Sequence, residues 1–286
     1  MSIRTESEML ELILNFAKND QRVRVVGMEG SRTNINAPKD RFQDYDISYL
    51  VTDLESFKKD DAWLEYFGER IIMQKPEAMP LFPPQLGNWF SHLILFTDGN
   101  RIDLKLIPLD ELDLYLSSDK LLNVLLDKDG RVATPPIPTD RDYHVKRPTP
   151  EFFDDSCNEF WWVSTYVAKG LCRNEILYAA EHLNLYVRPN LLRMLAWKVG
   201  LETGFSLSVG KSYKYLAKYL SIDLWDRLMV TYRNSSCEEI WQALFACQEL
   251  FRETAGYVAE MLGYTYLDYD EKVTTYLKKL FEDCVQ

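Results

Sequence analysis

Histidine is scarce in this chain, bases are outnumbered by acids, no two cysteines form a CxxC pair, and no internal repeat or low-complexity tract is present. The three histidines, His92, His144 and His182, are scattered without metal-ligand spacing, so no role is assigned to them. Cysteine occurs five times, at Cys157, Cys172, Cys237, Cys247 and Cys284. That odd, widely spaced set argues against a disulfide framework and against a zinc site, and all five are expected to be reduced and structural. With 33 Lys and Arg against 44 Asp and Glu, the net charge is −11. Such a field repels phosphate backbones and attracts cations, which disfavours a nucleic-acid partner. No apolar run reaches the about 18 residues that a membrane span needs, so no membrane partner is expected. The stretch MSIRTESEMLELILNF mixes acids among its apolar residues and lacks the basic start, continuous apolar core and small-residue cleavage site of a secretory signal. A cytoplasmic location is the expectation.

What the chain does have is length and apolar content. Its 286 residues, 47% of them hydrophobic, are enough for two domains that each bury a core. In the first half, SEMLELILNFAKN sets Met9, Leu10, Ile13, Leu14 and Ala17 on one face at helical spacing, and VRVVGM reads as a strand. YDISYLV is a second strand, and DLESFKKDDAWLEYFGERI predicts a helix capped by Asp53. SHLILF and RIDLKLIP alternate around Asp98-Gly99, a dipeptide suited to a tight hairpin turn. Residues 128–150 carry five prolines and little apolar periodicity, the composition of a linker. Beyond it the pattern is helical almost throughout, including SYKYLAKYL, and predicts a bundle whose core takes Trp161, Trp162 and Trp197. The fold class is therefore α+β, with a mixed sheet and helices over 1–147 followed by a helical domain over 148–286.

The chemistry concentrates in GSRTNINAPKDRFQDYD, residues 30–46. Residues two apart on a strand share a face, so Asp44 and Asp46 project together while Tyr45 and Ile47 face the other way. Like charges that close call for a cation between them. In RIDLKLI the same alternation puts Arg101, Asp103 and Lys105 on one face; if that strand lies beside the first, three carboxylates converge. Three hard oxygen ligands with open positions suit Mg²⁺ completed by substrate phosphates. Gly30 lets backbone approach a phosphate, and Ser31 offers a hydroxyl and an amide.

A hydrophobic strand, Gly-Ser, Asp-x-Asp and a later isolated Asp together resemble the nucleotidyltransferase superfamily that includes DNA polymerase β. Longer segments, EGSRTNINAPKDRFQDYDISYLVTD, MQKPEAMPLFPPQLGNWFSHLILFTDGNRIDLKLIP, VLLDKDG and NEFWWVSTYVAKGLCRNEILYAAEHLNLYVRPNLLRMLAW, resemble the aminoglycoside 6-adenylyltransferases, also called streptomycin adenylyltransferases. The resemblance implies a polymerase β-like N-terminal domain, a C-terminal substrate-binding domain, and transfer of AMP from ATP to the 6-hydroxyl of streptomycin, giving resistance. It implies that Ser31 holds the terminal phosphates with help from Arg32, that Asp44, Asp46 and Asp103 ligate Mg²⁺, and that Asp103 accepts the proton of the attacking hydroxyl. Some relatives take their base from a glutamate elsewhere, which makes Glu159 the rival.

In the helical half, Lys169, Lys211 and Lys214 are candidates to neutralise the triphosphate. Asp154, Asp155, Glu159 and Glu181 are acids among aromatic or apolar residues, and a guanidinium-bearing sugar needs carboxylates. Trp89, in a loop beside Pro83-Pro84 and Gly87, is the indole placed to touch ligand. Two other readings share the motif. A polymerase-like or tRNA-modifying enzyme would need a basic, aromatic-interleaved face, and none is visible; a non-catalytic nucleotide-binding module would be expected to have lost a carboxylate, and all three remain.

Overall fold

The computed structural model describes residues 3–285, so Met1 and Ser2, the start of the N-terminal stretch considered above, lie outside it. The chain divides into two compact units, Met1–Asp142 and Tyr143–Gln286.

The first unit opens with helix α1 (Glu6–Asn19). Thr5 and Glu8 close a reciprocal capping box at its start, and Met9, Ile13, Phe16 and Ala17 form its buried stripe. Strands β1 (Val23–Glu29) and β2 (Tyr45–Val51) follow, then the short helix α2 (Leu54–Lys58) and strands β3 (Arg70–Gln74), β4 (Phe90–Phe96) and β5 (Arg101–Pro108). Helix α3 (Leu112–Ser118) and strand β6 (Leu122–Asp127) complete the unit. The sheet order is β3-β4-β5-β2-β1-β6. Only the β2–β5 pairing among the described strands is parallel. β4 and β5 form the hairpin expected at Asp98-Gly99: Gly99 adopts φ +83° and its amide donates to the Phe96 carbonyl at 2.9 Å.

One face of the sheet packs against α1 and the aromatic residues Phe57 and Phe67, with Ile47, Tyr49 and Leu104 buried beneath them. The other face starts as a small apolar cluster of Val25, Leu50 and Ile107 with Tyr115 and Leu122.

One expected helix is broken. Asp53 does cap α2, accepting from the Ser56 amide at 3.1 Å. The rest of DLESFKKDDAWLEYFGERI becomes a 3-10 turn over Ala62–Phe67 and then β3. Asp60 accepts from the Ala62 amide at 2.9 Å, offering the backbone an alternative to the helical ladder, and Gly68 at φ +112° ends the segment.

The second unit is helical, with α4 (Pro150–Cys172), α5 (Ile176–His182), α6 (Arg188–Glu202), α7 (Ile222–Val230), α8 (Cys237–Leu262) and α9 (Tyr269–Val285). Its core joins Phe160, Trp161, Leu195, Trp197, Leu244 and Phe251. Trp161 and Trp197 are buried as expected, whereas Trp162 is 58% exposed because it points away from that core, donating to Tyr166 Oη at 2.8 Å. SYKYLAKYL is not a helix: it forms two 3-10 turns, and positive φ at Gly210, Ser212 and Tyr213 prevents the helical ladder from starting.

The expectation of five reduced cysteines is corrected. Cys172, at the end of α4, and Cys284, near the end of α9, form a disulfide across 112 residues of sequence, a proximity created by the packing of α9 on α4. Cys157 and Cys247 are buried thiols, and Cys237 is partly exposed. Among the described residues no helix is long and apolar enough to cross a membrane.

Candidate active site

The face bearing Val25, Leu50 and Ile107 turns polar toward one end of the sheet. Register places Gly27, Ser48 and Lys105 in the next row, and Glu29, Asp46 and Asp103 in the row after that. The apolar face and the polar site are thus one surface, read along the same three central strands.

Asp46 stands directly opposite Asp103 in the parallel β2–β5 pair, which meets the condition on which the sequence made their convergence depend, that the two strands be neighbours. Tyr45 and Ile47 are buried on the opposite face. Asp44 immediately precedes β2. Burial, followed by the charges of Asp103 and Glu29, raises the pKa of Asp46 to about 6, against the opposing pull of Lys105.

At the end of β1 the chain turns through a 3-10 turn over Gly30–Arg32. Gly30 sits at φ +70°, and a Cβ there would fall well inside contact distance of Asp46 Oδ2. The turn is anchored behind: the Gly30 amide donates to the Leu121 carbonyl at 3.1 Å, and Thr33 Oγ1 donates to the carbonyls of Gly30 and Leu121. Ser31 lies on the turn, with its carbonyl accepting from Gln43 Nε2 at 3.2 Å. Arg32 is committed to the protein itself. Its guanidinium donates to the carbonyls of Asp44 (2.9 Å) and Gln43 (2.8 Å), lies 3.6 Å over the Tyr45 ring and approaches Glu6 at 3.2 Å. It ties the Gly-Ser turn to the segment leading into the two aspartates.

Glu29 received no role from the sequence, yet it lies at the base of the site and is only 5% exposed. It accepts from Ser48 Oγ (2.6 Å), from Tyr115 Oη and from Lys105 Nζ (2.9 Å). Tyr115 reaches it only because position 27 is glycine; a Cβ there would coincide with the phenol oxygen. Burial, then the Glu29 charge, holds the Tyr115 phenol far above its ordinary pKa, so it stays a donor. The available signal was an acid directly after the apolar run Val25–Met28, which needs a buried partner.

Arg101 is the other residue without an assigned role. Its Nε and Nη2 donate to the two oxygens of Asp103 at 2.7 and 2.8 Å, and its Nη1 lies 3.6 Å from Asp44 Oδ2. Among the described residues no three acids, histidines or cysteines are so arranged that they could hold a metal ion. The donor chemistry nonetheless fits a hard divalent cation: carboxylates converge from β2 and β5, and the Asp103 charge adds to burial in raising the pKa of Asp46.

The remaining candidates are dispersed. Trp89 is half-buried, with its indole donating to Glu111 Oε2 at 2.6 Å and its ring against Tyr115. On α4, Asp154 accepts from Tyr269 Oη at 3.3 Å, while Asp155, Glu159 and Lys169 are exposed. Glu181 is exposed on α5, and Lys211 and Lys214 are exposed on the turns after α6, with Lys214 5.1 Å over the Tyr215 ring.

A glycine-serine turn closing on an Asp-x-Asp pair at the start of one strand, with a third acid on the adjoining parallel strand, defines a nucleotidyltransferase. The particular family then follows from comparison: the streptomycin adenylyltransferase family matches residues 3–280, and the chain belongs to it. It is 56% identical over 280 residues to a curated aminoglycoside 6-adenylyltransferase from Bacillus subtilis (strain 168), covering 98% of this chain and 99% of that one. Relatives of the same name from Campylobacter jejuni and Staphylococcus aureus are 53% and 42% identical, over 96% and 98% of this chain and 95% and 100% of theirs. A crystal structure of an aminoglycoside 6-adenyltransferase from Bacillus subtilis is 52% identical, covers 97% of this chain and 99% of its own, and superposes with a TM-score of 0.49.

Proposed function

We propose that this protein transfers AMP from ATP to the 6-hydroxyl of streptomycin in the cytoplasm, where ATP is supplied, and so confers resistance. The observation that carries the reading is the pairing of Asp46 with Asp103 beside the Gly30-Ser31 turn. The names of the full-length relatives support an aminoglycoside as acceptor.

Asp44, Asp46 and Asp103 would hold Mg²⁺, which supplies charge neutralisation at the phosphates and a more acidic acceptor hydroxyl. Ser31 offers its amide and hydroxyl to the terminal phosphates, and Arg32 acts by holding that turn in place. Asp103 takes the hydroxyl proton as the oxygen attacks the α-phosphorus; the bond to the bridging oxygen breaks and pyrophosphate leaves. Lys169, Lys211 and Lys214 are assigned to the triphosphate. Asp154, Asp155, Glu159 and Glu181 are assigned to the cationic groups of the antibiotic, and Trp89 to its sugar face. The two units, 1–147 and 148–286 in this reading, divide the work into nucleotide chemistry and antibiotic recognition.

Pyrophosphate release from ATP and Mg²⁺ with a panel of aminoglycosides tests the assignment. Release with streptomycin and not with kanamycin or gentamicin is expected; equal turnover of kanamycin overturns the 6-position specificity.

A further inference from the structure

The acidic row at the ends of β1, β2 and β5 carries its own counter-ions, and the two bases on β5 play different parts. Lys105 is spent on Glu29, where it balances a buried charge. Arg101 lies two residues before Asp103 on the same strand face and bends along it, so that one planar cation engages both oxygens of Asp103. The same guanidinium faces Asp44 at 3.6 Å. Two of the three carboxylates assigned to the metal are therefore already served by a resident cation.

Nothing buries that cation in place. The Arg101 side chain is 41% exposed, against 21% for Asp103, so it has solvent to swing into while Asp103 stays on its strand. An exposed bidentate pair of this kind is weak enough for a divalent ion to break and strong enough to tax its binding.

We infer that Arg101 is a positioning residue that competes with the divalent cation for Asp103: it neutralises the acidic row in the unliganded protein, and it must leave Asp103 before three carboxylates can hold a metal. The inference rests on the metal reading of Asp44, Asp46 and Asp103 given above. It accounts for a carboxylate cluster whose donors suit a metal but whose resting arrangement offers no three-ligand group.

Direct Mn²⁺ binding, followed by the loss of the free-ion paramagnetic resonance signal without nucleotide, separates the possibilities. The proteins are wild type, Arg101→Gln, Arg101→Lys and Asp46→Asn, each checked for native circular dichroism. Arg101→Gln is expected to bind Mn²⁺ about tenfold more tightly than wild type, since an exposed bidentate pair is worth on the order of one tenfold step. Arg101→Lys, which keeps the charge but cannot grip both oxygens, should fall between them, and it decides the matter if Arg101→Gln does not fold. Equal affinities for wild type and the Arg101 variants, with binding weakened in Asp46→Asn, overturn the competition while the metal reading stands. If no protein shows binding that depends on Asp46, the metal reading falls and the competition falls with it.

Discussion

Gly30 and Asp46 occupy each other's space: the hydrogen at Gly30 faces Asp46 Oδ2 so closely that no side chain fits between them. Gly30→Ala is therefore expected to push the Asp46 carboxylate from its row and to abolish pyrophosphate release. Gly87→Ala serves as control, because Gly87 also has positive φ (+62°) but nothing within 4 Å of a Cβ. The control should lose only the about 1–2 kcal/mol of left-handed backbone strain and keep its activity.

Asp46 is held in place against repulsion from Asp103, Glu29 and Asp44. Asp46→Asn is expected to lower turnover by more than tenfold, a barrier increase above about 1.4 kcal/mol. In EDTA at pH 7.5 its melting temperature should equal or exceed that of wild type, because a like-charge contact has been removed. A variant retaining wild-type turnover would show that Asp46 is outside the machinery.

Asp103 and Glu159 compete for the role of base, and steady-state kinetics separates them. Asp103→Asn should reduce kcat by several powers of ten with streptomycin binding largely kept, whereas Glu159→Gln, on the exposed face of α4, should chiefly raise KM for streptomycin. An active Asp103→Asn beside an inactive Glu159→Gln that still binds both substrates would move the base to the helical unit.

Glu29 balances Lys105 from below the site while accepting from Ser48 and Tyr115. Glu29→Gln leaves an unbalanced ammonium; because Lys105 is 30% exposed, the expected loss is about 2–4 kcal/mol rather than that of a fully buried pair. Tyr115→Phe removes one neutral donor and should cost about 1–2 kcal/mol. Urea unfolding of both variants checks the ordering, and the reverse order would mean that the phenol, not the ion pair, holds the base of the site.

His92 sets an acid limit on stability. It is fully buried against Trp63 and Phe90 with no hydrogen-bond partner at either ring nitrogen, and Asp61 is 3.6 Å away. Burial lowers its pKa to about 4, against the opposing pull of Asp61. The unfolded chain thus binds a proton near pH 6.5 that the folded one refuses until about pH 4. Stability from this group is complete above pH 6.5 and falls as pH drops toward 4, by at most about 1.4 kcal/mol per pH unit. Melting temperatures across that window should decline less steeply in His92→Leu than in wild type. Parallel curves would assign the decline to other groups.

Alternation in YDISYLV and RIDLKLIP was enough to predict which residues share the polar face, and Asp98-Gly99 marked the hairpin, because strand periodicity and turn chemistry are local. Locality also explains the failures. SYKYLAKYL has helical composition, but positive φ at Ser212 and Tyr213 breaks the ladder, and Asp60 diverts the backbone of the segment after α2.

By itself the sequence determined the turn, the paired aspartates and the two-part α+β order, since each depends on neighbours a few residues away. Only the tertiary structure decided that β5 takes β2 as its parallel neighbour and so sets Asp103 against Asp46. It alone brought Tyr115 into the gap left by Gly27, closed Arg101 over Asp103 and joined Cys172 to Cys284. These are partnerships made by strand pairing and packing. Each strand's pattern is compatible with several neighbours, and burial of the whole sheet selects one.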